Sequence, residues 1–404
     1  MKKTIRLFFT ALLITLFSGC HNEVFYNIMN DVPPEKTTVS GVINSIARYK
    51  VGSTEFLVLA ADGGLRYKKA EDYSHTTWKK YSNLPFELHN YEYYGSGHKG
   101  QQIIKVLADQ DTLYIISVKY KSDELIGTSA PEKFYIWAKT IELNSDSSWK
   151  KDGSWTEITG TRSDGSELLQ FYKSNDYYYT RFNVFSTNSP NPSHRRVFIK
   201  SKSSSDTEYY ELNNGTLNSI NMTASDGSDN KDIDGAAYIG NTIYFFDSSA
   251  VCSNETKSSN GTIIYFGKEK SSGLFYFDGS SASEQVLSAG EHISCLAVTK
   301  DYLLIGRARK EKSTTTSGGV VKCAIEADGK PESSLSSFSN NAQTQLSSSY
   351  LIYTLLNVDP SQNEKDSALY SSIGFKGTGT STSVNFNNIG LWSYYPSRGN
   401  WNRE

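Results

Sequence analysis

The chain has 404 residues, with 41 Lys and Arg against 43 Asp and Glu, 37% hydrophobic and 13% aromatic residues. That is the composition of a globular protein long enough to bury a large core, and it excludes collagen-like and disordered acidic classes. Near-zero net charge with no basic block also excludes the electrostatic footprint of a nucleic-acid binder, whose affinity comes mainly from neutralised phosphates.

The chain opens with MKKTIRLFFTALLITLFSGC. Lys2, Lys3 and Arg6 precede an apolar stretch from Leu7 to Phe17, too short for a bilayer span, which is the pattern of an export signal. Its end, Phe17, Ser18, Gly19, Cys20, resembles the lipobox of bacterial lipoproteins, in the looser form of spirochaete lipoproteins, with Phe17 where a strict lipobox prefers Leu. The resemblance implies a signal peptide over 1–19, removed so that Cys20 carries acyl chains such as palmitate. Each buried methylene contributes ~0.8 kcal/mol, so a multiply acylated Cys20 holds the chain to a membrane without a transmembrane helix. Residues 20–41, with Pro33 and Pro34, read as a lipidated tether, and 42–404 as the folded domain. His21, rather than Asp, after the lipidated position favours the outer membrane over the inner one, on its periplasmic or surface face.

Beyond the tether, Tyr and β-branched residues fill short runs separated by Gly, Asn, Asp and Ser, which favours strands. Pairs of such runs joined by a tight turn recur at SIARYK/EFLVLA from Ser45, IIKVLA/TLYIIS from Ile103 and LLQFY/DYYYTRF from Leu168. They continue at AAYIG/TIYFF from Ala236, ISCLAV/YLLIG from Ile293 and TQLSS/YLIYTLL from Thr344, at spacings of 51 to 68 residues. A third strand follows a variable loop, marked by Gly64-Leu65-Arg66-Tyr67, Gly273-Leu274-Phe275-Tyr276 and Gly390-Leu391-Trp392. A polar run with a Trp comes next, at Trp78, Trp155 and Trp401. Four strands per unit predict an all-β fold, a β-propeller of six blades, or seven if the long second or third unit hides a further repeat. A β-solenoid or a sandwich is the alternative. The phrases GLRYKKAEDYSHTTWKKYSNLP and GLWSYYPSRGNWNRE resemble the third strand, turn and fourth strand of kelch or Asp-box repeats, which implies the same architecture.

In a propeller the second-to-third and blade-to-blade connections emerge on one rim. The long segments 119–132, 186–193, 248–261, 308–318 and 358–367 are assigned there, as a binding face, with short first-to-second turns opposite. Tyr91, Tyr93, Tyr94 and His98 fall in the link between the first two units, where aromatics with polar tips suit a sugar or protein surface and otherwise stack between blades. Arg307 and Arg309, with Lys310 and Lys312, form a basic edge for an acidic ligand or a solvated rim. Asn230, Asp232, Asp234 and Gly235 match the front of a calcium loop, but Asn241 stands where an EF-hand needs its bidentate Glu, so a hydrophilic turn competes. No other cofactor is implied. Cys252, Cys295 and Cys323 show no metal spacing and read as one disulfide at most, or as buried free thiols.

Enzyme motifs are missing: there is no GxSxG, HExxH or phosphate-cradling Gly loop. A non-enzymatic binding or scaffold module of the envelope, with a protein or glycan partner, is therefore the leading expectation. The alternative is a glycan-processing, sialidase-like propeller, which would need three arginines converging on a carboxylate; Arg48, Arg181 and Arg307 fall on strands of different units, an unremarkable trio among eleven arginines.

Overall fold

The computed structural model describes most of 43–220 and 293–404, with Val39 and four short strands between the two stretches. Residues 1–38, 89–99, 121–130, 221–235, 238–262, 308–317, 339–350, 360–365 and 375–389 are among those outside the description. The first sheet contains β1 (Ile46–Val51), β2 (Thr54–Ala61), β3 (Gly64–Lys69) and β4 (Lys79–Tyr81). The second contains β5 (Gln101–Ala108), β6 (Leu113–Tyr120), β7 (Pro131–Lys139) and β8 (Thr156–Ile158). A separate hairpin, β9 (Phe171–Ser174) with β10 (Tyr177–Thr180), precedes β11 (Phe182–Ser186), β12 (Val197–Lys202), β13 (Thr207–Asn213) and β14 (Thr216–Ile220). Next come β15 (Ala236–Ala237), β16 (Ile263–Phe266), β17 (Leu274–Phe277) and β18 (Glu284–Leu287). They are followed by β19 (Ile293–Val298), β20 (Tyr302–Arg307), β21 (Gly319–Ala324) and β22 (Ser336–Ser337). The last sheet is β23 (Leu351–Asn357), β24 (Leu369–Gly374), β25 (Gly390–Tyr395) and β26 (Asn400–Arg403).

Every four-stranded sheet is an antiparallel meander of consecutive strands, and the fold is an all-β propeller. Among the described residues five of these sheets have packed side-chain faces and count as blades, against the six or seven that the repeats predict. The fourth repeat yields only strands of two to four residues, β15–β18, of whose side chains nothing is described. Apart from Ala236 and Ala237, its stretch 221–262 lies outside the described residues. Three predicted strand pairs shift as well: the AAYIG run, β15, pairs with β16 at Ile263–Phe266, and TIYFF, its expected partner, lies outside the described residues. LLQFY/DYYYTRF is largely the extra β9–β10 hairpin, and YLIYTLL is the first strand of the last blade, β23, rather than its second.

The marker phrases sit as predicted: Gly64, Leu274 and Gly390 belong to third strands, and Trp401 lies on a fourth strand, with Trp78 and Trp155 just before theirs. Gly319 and Gly390 open third strands at φ 79° and 131°, a backbone region that favours glycine. Each marker Trp reaches the blade before it. The Trp155 indole N–H donates to the Asn83 carbonyl at 2.7 Å, and Trp401 meets Phe338 edge-on at 6.1 Å. Trp78 uses the same device to join the first blade to the last, donating to Glu404 Oε2 at 2.5 Å.

Because each blade is four consecutive strands, no strand is exchanged between the two ends of the propeller among the described residues. The ends are joined by a backbone bond from Val39 N to the Glu404 carbonyl at 3.3 Å and by buried side chains. Lys68 Nζ lies 2.9 Å from Glu404 Oε2, and both side chains are fully buried. The same ammonium donates to Tyr395 Oη at 3.0 Å and sits 4.9 Å from the Trp78 ring centroid and 5.0 Å from that of Tyr370. The other Glu404 oxygen accepts from Ser393 Oγ and Tyr395 Oη. Around this pair Val39, Ile43, Leu57 and Leu59 pack with Leu356, Tyr370 and Leu391. At the next interface Lys139 lies over Tyr81 and Trp155, but its ammonium donates to the carbonyls of Asp152 and Gly153.

Tyrosine hydroxyls tie neighbouring blades. Tyr49 donates to the Asp111 carbonyl at 2.9 Å and accepts from Ile141 N at 3.0 Å. Tyr114 donates to Asp109 Oδ2 at 2.6 Å and accepts from Gly215 N at 3.0 Å. Burial pushes both hydroxyls well above the ordinary tyrosine value of 10, with nearby Asp109 adding to the rise. The unfolded chain therefore loses these protons first as pH rises past 10. Stability then falls by about 1.4 kcal/mol per pH unit for each buried tyrosine. Urea midpoints should stay level from pH 7 to 9 and drop above 10, with a shallower drop in Tyr114→Phe; a level profile to pH 11 contradicts this assignment.

Among the described residues no helix is long and apolar enough to cross a membrane. Cys295 and Cys323 are free thiols on β19 and β21, the latter pushed up to about 12 by burial, while Cys252 lies outside the described residues.

Candidate functional site

In a meander, successive connections alternate between rims, so strand order fixes which loops share a face. β6 leads to β7 across 119–132 and β20 to β21 across 308–318, second-to-third connections as predicted, though 121–130 and 308–317 themselves lie outside the described residues. Segments 186–193 and 358–367 lead from first to second strands and belong to the opposite rim, while 248–261 lies outside the described residues. The single loop-bearing face is thus corrected: the long connections are divided between both rims. Cys20, Tyr91, Tyr93, Tyr94, His98, Arg309, Asn230, Asp232 and Asp234 lie outside the described residues. Arg307 ends β20, where its Nε donates to the Gly318 carbonyl at 3.2 Å, a contact within its own blade.

The three arginines weighed for a carboxylate site are each committed to a separate contact. Arg48, on β1, is buried and donates through Nη2 to the carbonyls of Asn357 and Val358 in the last blade. Burial lowers its guanidinium to about 10, a shift that Glu55 and Asp359 oppose and Arg195 reinforces. Arg181 lies 4.8 Å over the ring of Tyr172, and Arg307 is held as described.

Around the inner strands, polar side chains tie one blade to another. Ser45 Oγ accepts from Val106 N at 2.7 Å, and Lys105 donates to Asn183 Oδ1 at 3.1 Å. Asn357 donates to the Val298 carbonyl at 2.7 Å. The segment joining β11 to β12 reaches from the third blade to the first. Asn188 accepts from Arg48 N at 2.9 Å and donates to the Ile46 carbonyl at 3.1 Å, while Arg195 pairs with Glu55 at 2.6 Å. These contacts hold the inner ring rigid, which is a structural duty.

A cavity of about 440 Å³ lies elsewhere, between the outer strands of the second blade and the segment 159–169 that leads to the third. Alternation along β7 builds it. Phe134, Ile136 and Ala138 face the third blade, where Phe134 meets Phe182 edge-on at 5.0 Å. Lys133, Tyr135 and Trp137 occupy the other set of positions, with Tyr135 and Trp137 stacked at 5.8 Å and Lys133 Nζ 4.8 Å from the Tyr135 centroid. Ile158, Leu168 and Leu169 complete an apolar floor. Lys133, Glu157 and Glu167 give it a charged rim, and Lys133 stands 3.7 Å from Glu157. Both of those side chains are partly exposed, so their pairing is worth about 0–1 kcal/mol and leaves them available to a ligand.

The segment 159–169 is pinned on the third blade. Gly160 lies so close to Leu217 that an added Cβ would come within 2.4 Å of its Cδ2. The buried Arg162 donates to the Ser201 carbonyl and lies 3.4 Å from Glu208, whose carboxylate burial raises but hydrogen bonds from Ser163 and Tyr210 hold below its ordinary pKa. The cavity wall is thus fixed by packing rather than induced. Mixed apolar and polar lining of this size is what binding pockets present. The repeat pattern could not reveal it, because 159–169 is an insertion outside the repeat; the alternation in PEKFYIWAK was its one visible sign.

No family model matches this chain, and no curated protein does. Solved propellers are similar in fold at low identity. The SapL1 lectin, solved with alpha methyl fucoside, is 10% identical over 90% of this chain and 95% of its own, at a TM-score of 0.36. The Pan2 WD40 domain of Neurospora crassa is 7% identical over 82% and 75%, at 0.34. The Trypanosoma rangeli sialidase, solved with the inhibitor DANA, is 10% identical over 88% and 55%, at 0.38.

Proposed function

We propose that this chain is a lipid-anchored, non-catalytic binding propeller of the bacterial envelope, tethered through Cys20 and residues 20–41, that captures an envelope protein. The observation that carries the binding role is the preformed cavity beside β8, with its apolar floor and charged rim. The anchor rests on the lipobox resemblance of Phe17, Ser18, Gly19 and Cys20. The outer membrane is the proposed location, with His21 following the lipidated position.

The test is to express the full chain in a bacterial host with labelled palmitate. Label is expected on the wild-type protein, with its loss and release from the membrane fraction in Cys20→Ala. Persistent label in that variant overturns the anchor, and turnover of any member of a glycan panel by the purified chain overturns the non-catalytic reading.

A further inference from the structure

Among the described residues β8 pairs on one side only, with β7, as the last strand of its sheet. A strand edge presents unpaired backbone N–H and C=O groups, which an extended peptide can complete while alternate side chains enter adjoining pockets. Other blades also end on an outer strand, but β8 is the one beside the cavity described above. The floor there, Ile158 with Leu168 and Leu169, is apolar, so side chains entering it must be apolar too. The rim carries two carboxylates, Glu157 and Glu167, against the single ammonium of Lys133. Asp164 in the neighbouring turn is compensated by Arg162, 3.6 Å away, and leaves this balance unchanged. Charge complementarity therefore selects basic residues at the positions of the peptide that point outward.

We infer that the second blade binds an extended peptide of a partner protein, alternating apolar and basic residues, as an added strand along β8. This rests on the binding role proposed above and specifies its ligand. An antiparallel or a parallel approach both satisfy the edge, and successive side chains of the added strand alternate between its two faces in either case.

The probe is a fluorescein-labelled nonapeptide of alternating Lys and Val, titrated into the full chain in detergent and followed by anisotropy. Saturable binding is expected. It should weaken about tenfold or more when Val alternates with Glu, and likewise when alternate amides of the Lys/Val peptide are N-methylated. Glu157→Lys with Glu167→Lys, both at surface positions, should invert the charge preference while the thermal midpoint stays within a few degrees. No saturable binding, indifference to N-methylation, indifference to the charge reversal, or displacement by a soluble glycan panel each overturns the inference. A chain that is palmitoylated at Cys20 but ignores the peptide loses only this inference. A chain that binds the peptide yet carries no lipid loses only its anchor.

Discussion

Glu404→Gln is expected to lower the unfolding free energy by about 3–5 kcal/mol, because it leaves the Lys68 ammonium buried without its carboxylate. Lys68 and Glu404 both lie away from solvent, and the carboxylate also accepts from Trp78, Ser393 and Tyr395. Lys68→Met should cost a similar amount by stranding the carboxylate. The double variant Lys68→Met/Glu404→Leu should cost less than the sum, since an apolar pair leaves no uncompensated charge. Urea denaturation checks this, with Lys119→Ala as control, whose partner Glu132 is exposed and whose loss should be worth about 0–1 kcal/mol. Equal effects at the buried and exposed pairs would remove Lys68–Glu404 as the closing contact. Among the described residues no strand is exchanged between the ends, so beside the backbone bond from Val39 N to the Glu404 carbonyl the buried polar contacts between first and last blades carry most of the closure.

Trp149→Ala is the second large effect, about 3–5 kcal/mol for deleting a buried Trp side chain. The indole stacks on Tyr67 at 4.2 Å and 8°, and meets Tyr49, Phe56 and Tyr81 edge-on. Trp149 belongs to the small hairpin 141–150 of the second blade, whereas all four partners belong to the first. Its backbone joins in, with Trp149 N donating to Tyr67 Oη at 3.2 Å and Tyr81 Oη donating to the Lys150 carbonyl at 2.9 Å. Trp149→Phe should recover part of the loss, because aromatic pairing contributes about 0.5–1.5 kcal/mol beyond area burial. A loss below about 1 kcal/mol for the alanine variant would mean that the hairpin is not a strap between blades.

Third strands were legible because a Gly opens each marker phrase, and at Gly390 the backbone requires one. Fourth strands were legible because a lone Trp in a polar run has to be buried against something, and here that is the preceding blade. First strands were harder. The β9–β10 hairpin has the same Tyr-rich runs as a blade pair and displaced the expected start of the third blade to β11. A shift of one strand moves a connection to the opposite rim, which is why 186–193 and 358–367 lie on the face opposite to the one the repeats predict. Lys68 stands in GLRYKK like a surface lysine, and its partner Glu404 is 336 residues away, so nothing local marks the pair. The cavity was hidden for a similar reason: it needs β7, β8 and the insertion 159–169 together.

Capture of a protein at the outer edge of the second blade can be read directly in cells. A photoreactive phenylalanine analogue placed at Thr159, an exposed residue lining the cavity, tests it in intact cells, with Glu71 on the first blade as the control position. A discrete protein adduct is expected from Thr159 that disappears when Glu157 and Glu167 are both changed to Lys, and none from Glu71. No adduct at Thr159, or the same adduct from both positions, would contradict it.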